Sequence, residues 1–379
     1  MARRVYLDYC ATTPVNPAVR TAMLPTLGEV FGNPSSLHQV GQEAAQLVEQ
    51  ARAQVAEGIG ACPEEICFTS GATEADNLAL IGVLRNHDPH HSHLITSAIE
   101  HHAILHTAQA LEGDGYAVTY LPVDSSGLVD PEDVRQAIRP ETALISIMMV
   151  NNEVGTIQQI AEIGCIAHQH GILMHTDAVQ GMGLLDVGVD DLAVDLLSLS
   201  AHKIYGPKGV GALYVRKGTP LTPITFGGPQ ESALRTGTEN VPGIVGLSAA
   251  VKLITEHKAE ERERLSGLHQ RLITGLQEAI PTMIVNGSPT RFAPHIASVS
   301  FPGADGEMML FRLNMQGIAV SMGSACTAED IEPSHVLMAM GLPVSQIEGT
   351  LRLSMGYPTT SHDIDYVCEV LPVVVAQCR

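Results

Sequence analysis

The chain has 379 residues, 45% of them hydrophobic, and its 41 Asp and Glu against 21 Lys and Arg give a formal net charge of −20. That length exceeds what a single core usually supports, so two domains are expected, and the acidic balance argues against direct nucleic-acid binding, which needs clustered cations. No run reaches the roughly 18 apolar residues of a membrane helix, and Met1-Ala2-Arg3-Arg4 leads into a strand-like run rather than a signal-peptide core, so a cytoplasmic protein is expected, with no membrane partner. The seven cysteines are scattered and contain no Cys-x-x-Cys pair, which argues against a disulfide framework or a structural zinc site.

In chain order, Val5–Pro14 reads as a brief strand running into a Thr-Thr-Pro turn, and Pro17 opens a helix. Phe31-Gly32-Asn33-Pro34-Ser35-Ser36 is an irregular loop, and Gly41–Ile59 has helical periodicity. An apolar strand through Ile66 and Phe68 then meets Ser70-Gly71-Ala72-Thr73 at the start of a helix. Free N–H groups and the dipole of a helix start suit a phosphate, although a plainly capped helix reads equally well from this stretch alone. His87, His90, His91 and His93 crowd a polar segment that reads as a solvated loop, and no metal site is expected there.

The next strand, Leu94–Ser97, ends shortly before His101, and the apolar run Ala143–Val150 ends in Asn151-Asn152-Glu153. Another strand carries Asp177 at its end, followed by Gln180. Strands alternating with helices predict an α/β domain with a mostly parallel, buried sheet, whose polar residues gather beyond the strands' carboxyl ends. Leu197–Ser200 then stops at Ser200-Ala201-His202-Lys203 before a Gly/Pro-rich turn and a further strand, Ala212–Val215. Taken alone, Lys203 is most simply an ordinary surface lysine. A partly desolvated lysine between hydroxyl and imidazole donors is also suited to hold an aldehyde cofactor as a Schiff base, and a carboxylate such as Asp177 is what a pyridine nitrogen needs to stay protonated. The motifs therefore support one another.

Beyond these, a charge-rich helix spans Lys258–Leu276, and the remainder alternates a strand at Ala297–Phe301, a helix at Glu307–Met315, a small-residue loop with Cys326, and a last helix from Ser361. This predicts a large cofactor domain over 15–255 and a smaller α+β domain formed by 1–14 and 256–379. Ligand sites commonly lie between such units.

Read together, Tyr6-Leu7-Asp8 with Ala11-Thr12-Thr13-Pro14, Phe31–Ser36, Thr69–Glu74, Asn151-Asn152-Glu153, His175–Gln180, His202–Gly209, Arg235–Asn240 and Gly323-Ser324-Ala325-Cys326-Thr327 resemble the cysteine desulfurases, pyridoxal-phosphate enzymes of the class V aminotransferase type. They stand in that family's order across nearly the whole chain. The resemblance implies the fold type I of pyridoxal-phosphate transferases: an α/β large domain with a mostly parallel, seven-stranded sheet between helices, plus a smaller α+β domain. It implies that Lys203 carries the cofactor, that Asp177 pairs with the pyridine nitrogen, that His101 stacks on the ring, and that Gln180 and Asn152 bond its phenolic-oxygen side. Ala72, Thr73, Ser200 and His202 would cradle the phosphate, completed by Thr238 from a second subunit of a homodimer. Arg352, with Asn152, would hold the carboxylate of L-cysteine, and Cys326 would receive its sulfur as a persulfide for a sulfur-acceptor protein, leaving L-alanine.

The resemblance is imperfect where Pro229, Ser232 and Ala233 stand in place of the family's usual residues, and where Met322 replaces a common serine. Competing readings are another reaction of the same cofactor, a non-catalytic sulfur-carrier subunit, and a hydrolase using Cys326 and His335. No oxyanion motif supports the last.

Overall fold

The computed structural model describes residues 4–322 and 333–379. Strands run β1 (Val5–Tyr6), β2 (Ile66–Thr69), β3 (His93–Ser97), β4 (Ala117–Leu121), β5 (Thr142–Ser146), β6 (Leu173–Asp177), β7 (Leu196–Ser200), β8 (Gly211–Val215), β9 (Ile284–Asn286), β10 (Ile296–Ser300), β11 (Ile318–Ala319) and β12 (Thr350–Ser354). The helices that shape the site are α1 (Pro17–Met23), α2 (Gln39–Ile59), α3 (Ala72–Leu84), α4 (His102–Gly113), α5 (Pro131–Ala137), α6 (Ile160–Gln169) and α7 (Val241–Ala279).

A seven-stranded sheet in the order β2-β8-β7-β6-β5-β3-β4 forms the centre, with β8 antiparallel to both of its neighbours and the rest of the sheet parallel. Its strands are apolar on both faces because helices cover both. Phe68, Ile95, Ile145, Leu197 and Ala212 enter one core with α2, α5, α6 and the first part of α7, while their neighbours Cys67, Leu94, Leu144, Leu196 and Leu213 enter another with α3 and α4. Such doubly buried strands are the rule for parallel sheets. The α/β fold expected from the alternating elements is the fold observed.

A separate core joins Val5, Leu7, Leu265–Leu276, β10, β12 and the final helix, Ser361–Gln377. Here β12-β10-β9 form an antiparallel sheet, and β1 pairs in parallel with β11. The charge-rich segment at Lys258–Leu276 is part of a longer element, a single 39-residue helix. Its residues up to Ile254 pack into the first core and those from Leu265 onward into the last. None of the described helices is long and apolar enough to cross a membrane.

One expectation about the histidines changes. His93 is not in a solvated loop but is fully buried in β3, its ring bonded to Thr142 Oγ1 and Thr119 Oγ1 at 2.9 Å each. Burial pushes its pKa down to about 4, so the neutral ring serves as an inter-strand link. His90 and His91 lie on the short turn before the strand, and among the described residues no cluster of His, Cys, Asp or Glu forms a metal-binding group.

Candidate active site

The carboxyl ends of β2, β3, β5, β6 and β7 open onto a cavity of about 590 Å³. This is where an open α/β sheet presents its loops to a ligand. His101, Asn152, Asp177, Gln180, Ala72, Thr73, Ser200, His202, Lys203 and Arg352 all line it. Thr238 does not: it is exposed on the loop before α7. Cys326 lies outside the described residues.

Lys203 is delivered by a 3₁₀ turn, Ala201–Lys203, directly after β7. The turn is tied to the Thr-Thr-Pro segment: Thr13 Oγ1 donates to the His202 carbonyl at 2.9 Å, accepts from Tyr205 N–H at 2.9 Å, and the Thr13 amide donates to the same carbonyl at 3.0 Å. Gly206 permits the turn's closeness, since a Cβ there would lie 2.8 Å from Ala201 Cβ. The ammonium donates to the carbonyls of Cys10 and of Ala11, the latter at 3.0 Å, and no ion pair to Lys203 is formed among the described residues. Burial pushes its pKa below the ordinary lysine value. A lysine held this way is ready to give up a proton and act as nucleophile or base.

Asp177 ends β6, accepts the Val179 amide at 2.9 Å, and is raised above the ordinary carboxyl range by burial, against the pull of that amide and of Lys203. Gln180 Nε2 donates to the Cys10 carbonyl at 3.1 Å. His101 caps α4, its Nδ1 accepting from Ala103 N–H at 3.1 Å. Burial, then Lys203, hold its pKa near 4, so the ring is neutral. With Nδ1 used as an acceptor, Nε2 carries the proton. His202 is held the same way, near pKa 4, with Nδ1 3.1 Å from Thr12 Oγ1.

The start of α3 has Gly71 at its cap and no side-chain capping bond, although Glu74 accepts the Ser70 amide at 2.7 Å. Uncapped N–H groups beside Thr73 and Ser200, which line the same cavity, could hold a phosphate. Across the cavity, Arg352 stands in the middle of β12 and is only 2% exposed. Its Nη1 donates to the Asn152 carbonyl at 2.9 Å and its Nη2 to Asp8 Oδ1 at 3.0 Å, while Nε has no hydrogen-bond partner. Asn151 shapes that loop, its side chain accepting from Glu153 and Val154 amides at 2.9 and 3.0 Å and donating to the Ile99 carbonyl at 2.9 Å.

Several groups at the cavity escaped the sequence reading. Asp76 is fully buried, with neither carboxylate oxygen hydrogen-bonded, and burial followed by the nearby Asp177 raises its pKa far above the ordinary range. Its signal was the spacing of three from Thr73, which puts the two on one helix face. Glu153 also lines the cavity, as does His335, which the sequence offered only as the partner of Cys326 in a hydrolase, and Glu100 is buried behind it. Ser334 Oγ donates to Glu153 Oε2 at 2.5 Å, and His335 Nε2 sits 2.9 Å from the Glu100 carbonyl.

Residues 5–367 match the family model described as aminotransferase class-V, and the chain belongs to that family. It is 49% identical over 381 residues to the cysteine desulfurase IscS of Clostridium botulinum (strain Hall), covering 100% of this chain and 96% of that protein. It is also 50% identical over 377 residues to the cysteine desulfurase IscS of Methanosarcina thermophila, covering 100% of this chain and 93% of that one. Among solved structures, a NifS-like protein superposes with a TM-score of 0.93 at 38% identity, covering 99% of this chain and 100% of the other. Within its family the chain therefore stands among the cysteine desulfurases, whose cofactor is pyridoxal phosphate. The cavity fits that group: a desolvated lysine, a buried carboxylate, an uncapped helix start and an arginine with an unpartnered Nε converge on one space.

Proposed function

We propose that the chain converts L-cysteine to L-alanine at this cavity and passes the sulfur, through Cys326, to an acceptor protein. The observation that carries the reading is that Lys203, Asp177 and Arg352 share one cavity while β12 runs beside Ser321. An amine, a carboxylate that keeps the cofactor's ring nitrogen protonated and a clamp for the substrate carboxylate are what an α-amino acid reaction needs. Pyridoxal phosphate supplies the electron sink that makes the bonds at the substrate's α-carbon labile. Arg352 binds the substrate carboxylate and, with Asn152, sets the orientation of the α-carbon toward Lys203.

Lys203, freed as a neutral amine, takes the α-proton and returns a proton to the carbon skeleton. Asp177 would pair with the cofactor's ring nitrogen and keep it protonated, while His101, neutral with its proton on Nε2, would stack on the ring and could donate to the reacting atoms. Asn152 and Gln180 would orient the ring's oxygen side, while Ala72, Thr73, Ser200 and His202 would bind the phosphate. The Cys326 thiolate attacks the substrate sulfur; the carbon–sulfur bond breaks, a sulfur–sulfur bond forms, and the carbon gains a proton to give alanine. Carbon is thus reduced as the Cys326 thiol is oxidised to the persulfide, without an external oxidant.

Thr238 belongs to this reading as the phosphate ligand of a second subunit in a homodimer. The division into a large domain over 15–255 and a smaller one of 1–14 and 256–379 is supported by the separate core around Leu265–Val375. The free state of the six described cysteines supports a reducing, cytoplasmic setting. The acceptor is an iron–sulfur scaffold or a thiolation system. The test is turnover of cysteine with a thiol reductant: equal amounts of alanine and sulfide are expected from the native protein, and from Cys326→Ala neither, with the cofactor's absorbance retained. Normal sulfide release by that variant overturns the reading.

A further inference from the structure

The loop that carries Thr238 is fastened to its own subunit by an unusual device. Glu231, Ser232 and Ala233 in succession take left-handed backbone, at φ 44°, 57° and 62°. A Cβ makes that conformation unfavourable, and consecutive non-glycine residues rarely hold it unless something else enforces it. Here the Glu231 side chain is only 3% exposed and forms a two-pronged pair with Arg52, Oε2 to Nη1 at 2.8 Å and Oε1 to Nη2 at 2.7 Å. Oε2 also accepts the Phe68 amide at 2.8 Å, and Arg52 in turn donates to the Ile66 carbonyl at 2.7 Å and lies over the Phe68 ring. A second tie follows four residues later: Arg235 Nε lies 2.9 Å from Glu74 Oε1, on the same carboxylate whose other oxygen accepts the Ser70 amide.

We infer that Glu231 is a positioning residue: through Arg52 and the Phe68 amide it enforces the left-handed turn, and so fixes the segment from Gly227 to Asn240 from which Thr238 projects. Resting as it does on Thr238 serving a second subunit, the inference adds how that threonine is aimed. β2, to which the turn is fastened, leads directly into Ser70–Thr73. The loop offered to the partner is therefore anchored on the segment that binds the phosphate in its own subunit, and Ser232 and Ala233, the unusual residues of this stretch, are the ones that depend on the anchor.

The experiment uses the holoenzyme and reads amide hydrogen exchange across 227–240 together with the rate of cofactor loss on dilution, followed by absorbance. Glu231→Ala is expected to speed both at least tenfold, the lower end for the loss of a charged hydrogen-bond partner. Glu231→Gln, which keeps the acceptor for Phe68, falls in between. Glycine at both neighbours (Ser232→Gly with Ala233→Gly) restores slow cofactor loss in the Glu231→Ala background, because the turn then no longer opposes its own backbone. Combined with Thr238→Ala, Glu231→Ala adds nothing to the loss rate of Thr238→Ala alone. Unchanged loop exchange in Glu231→Ala, absence of rescue by the glycines, or additive effects with Thr238→Ala overturns the inference. Should Thr238→Ala alone leave cofactor loss unchanged, it is the shared-site reading that fails, and loop exchange with glycine rescue still decides whether Glu231 holds the turn.

Discussion

Arg352 Nη2 lies 3.0 Å from Asp8 Oδ1, an ion pair between a residue of β12 and one just past β1 that crosses 344 positions of sequence. Because the guanidinium is almost wholly buried and its Nη1 is spent on the Asn152 carbonyl, Asp8 sets the direction in which the remaining face of the arginine looks. Asp8→Asn keeps the shape and the acceptor but removes the charge, and is expected to raise KM for cysteine with the cofactor still bound. Arg352→Lys removes the fork itself and should raise KM roughly tenfold to a hundredfold, the range of a lost charged hydrogen bond. Steady-state kinetics at saturating cofactor check both, and unchanged KM in Arg352→Lys would remove the arginine from the substrate site.

Thr13 holds the lysine turn from outside, donating to the His202 carbonyl and accepting from the Tyr205 amide. Thr13→Val has nearly the same volume and neither capacity. It is expected to lower stability by about 1–2 kcal/mol, since a partly buried amide loses its acceptor and the carbonyl one of its two donors. Thr13→Ser should restore most of the loss. Thermal denaturation of the three proteins side by side is the measurement.

Glu100 gives a pH prediction of definite sign. It is fully buried; burial raises its pKa to about 8, against the Ser97 hydroxyl at 2.5 Å and the Met148 amide at 3.0 Å. A carboxyl with a raised folded-state pKa binds more protons in the native than in the unfolded chain between about 4.5 and about 8. Its contribution to stability is therefore complete below pH 4.5 and is lost as pH rises toward 8. Glu100→Gln preserves an acceptor for both donors and has no proton to lose. It should be more stable than the native chain at pH 8 by about 1–3 kcal/mol and nearly equal at pH 5, as chemical denaturation at the two pH values would register.

What could be read from the chain and what could not divides along physical lines. Lys203, Asp177 and His101 stand at the ends of apolar runs, and a strand end in a parallel sheet is an address that local pattern reveals. Asp8 as partner of Arg352, and Arg52 as partner of Glu231, are products of tertiary closure and leave no local trace. Asp76 and Glu100 look in sequence like ordinary acids near helix starts, and only the surrounding sheet makes them buried. His93 reads as one of a polar cluster because its neighbours are polar, yet the helices on both faces of β3 enclose it. The long helix is legible only in its charged half; its first half, packed between sheet and α2, has the small and apolar residues of a buried element.

That helix has a mechanical meaning. At a rise of 1.5 Å per residue its 39 residues make a rod of about 58 Å, with no proline or glycine between Ile254 and Leu265, where it passes from one core to the other. A rod clamped at both ends acts as the spine of a caliper, one jaw bearing Lys203 and the other Arg352. On the proposed reading the two jaws address the amino and carboxylate groups, the parts all amino acids share. Such an instrument gauges the common part of every candidate molecule and is blind to the side chain, so telling cysteine from alanine or serine is left to whatever meets the third substituent.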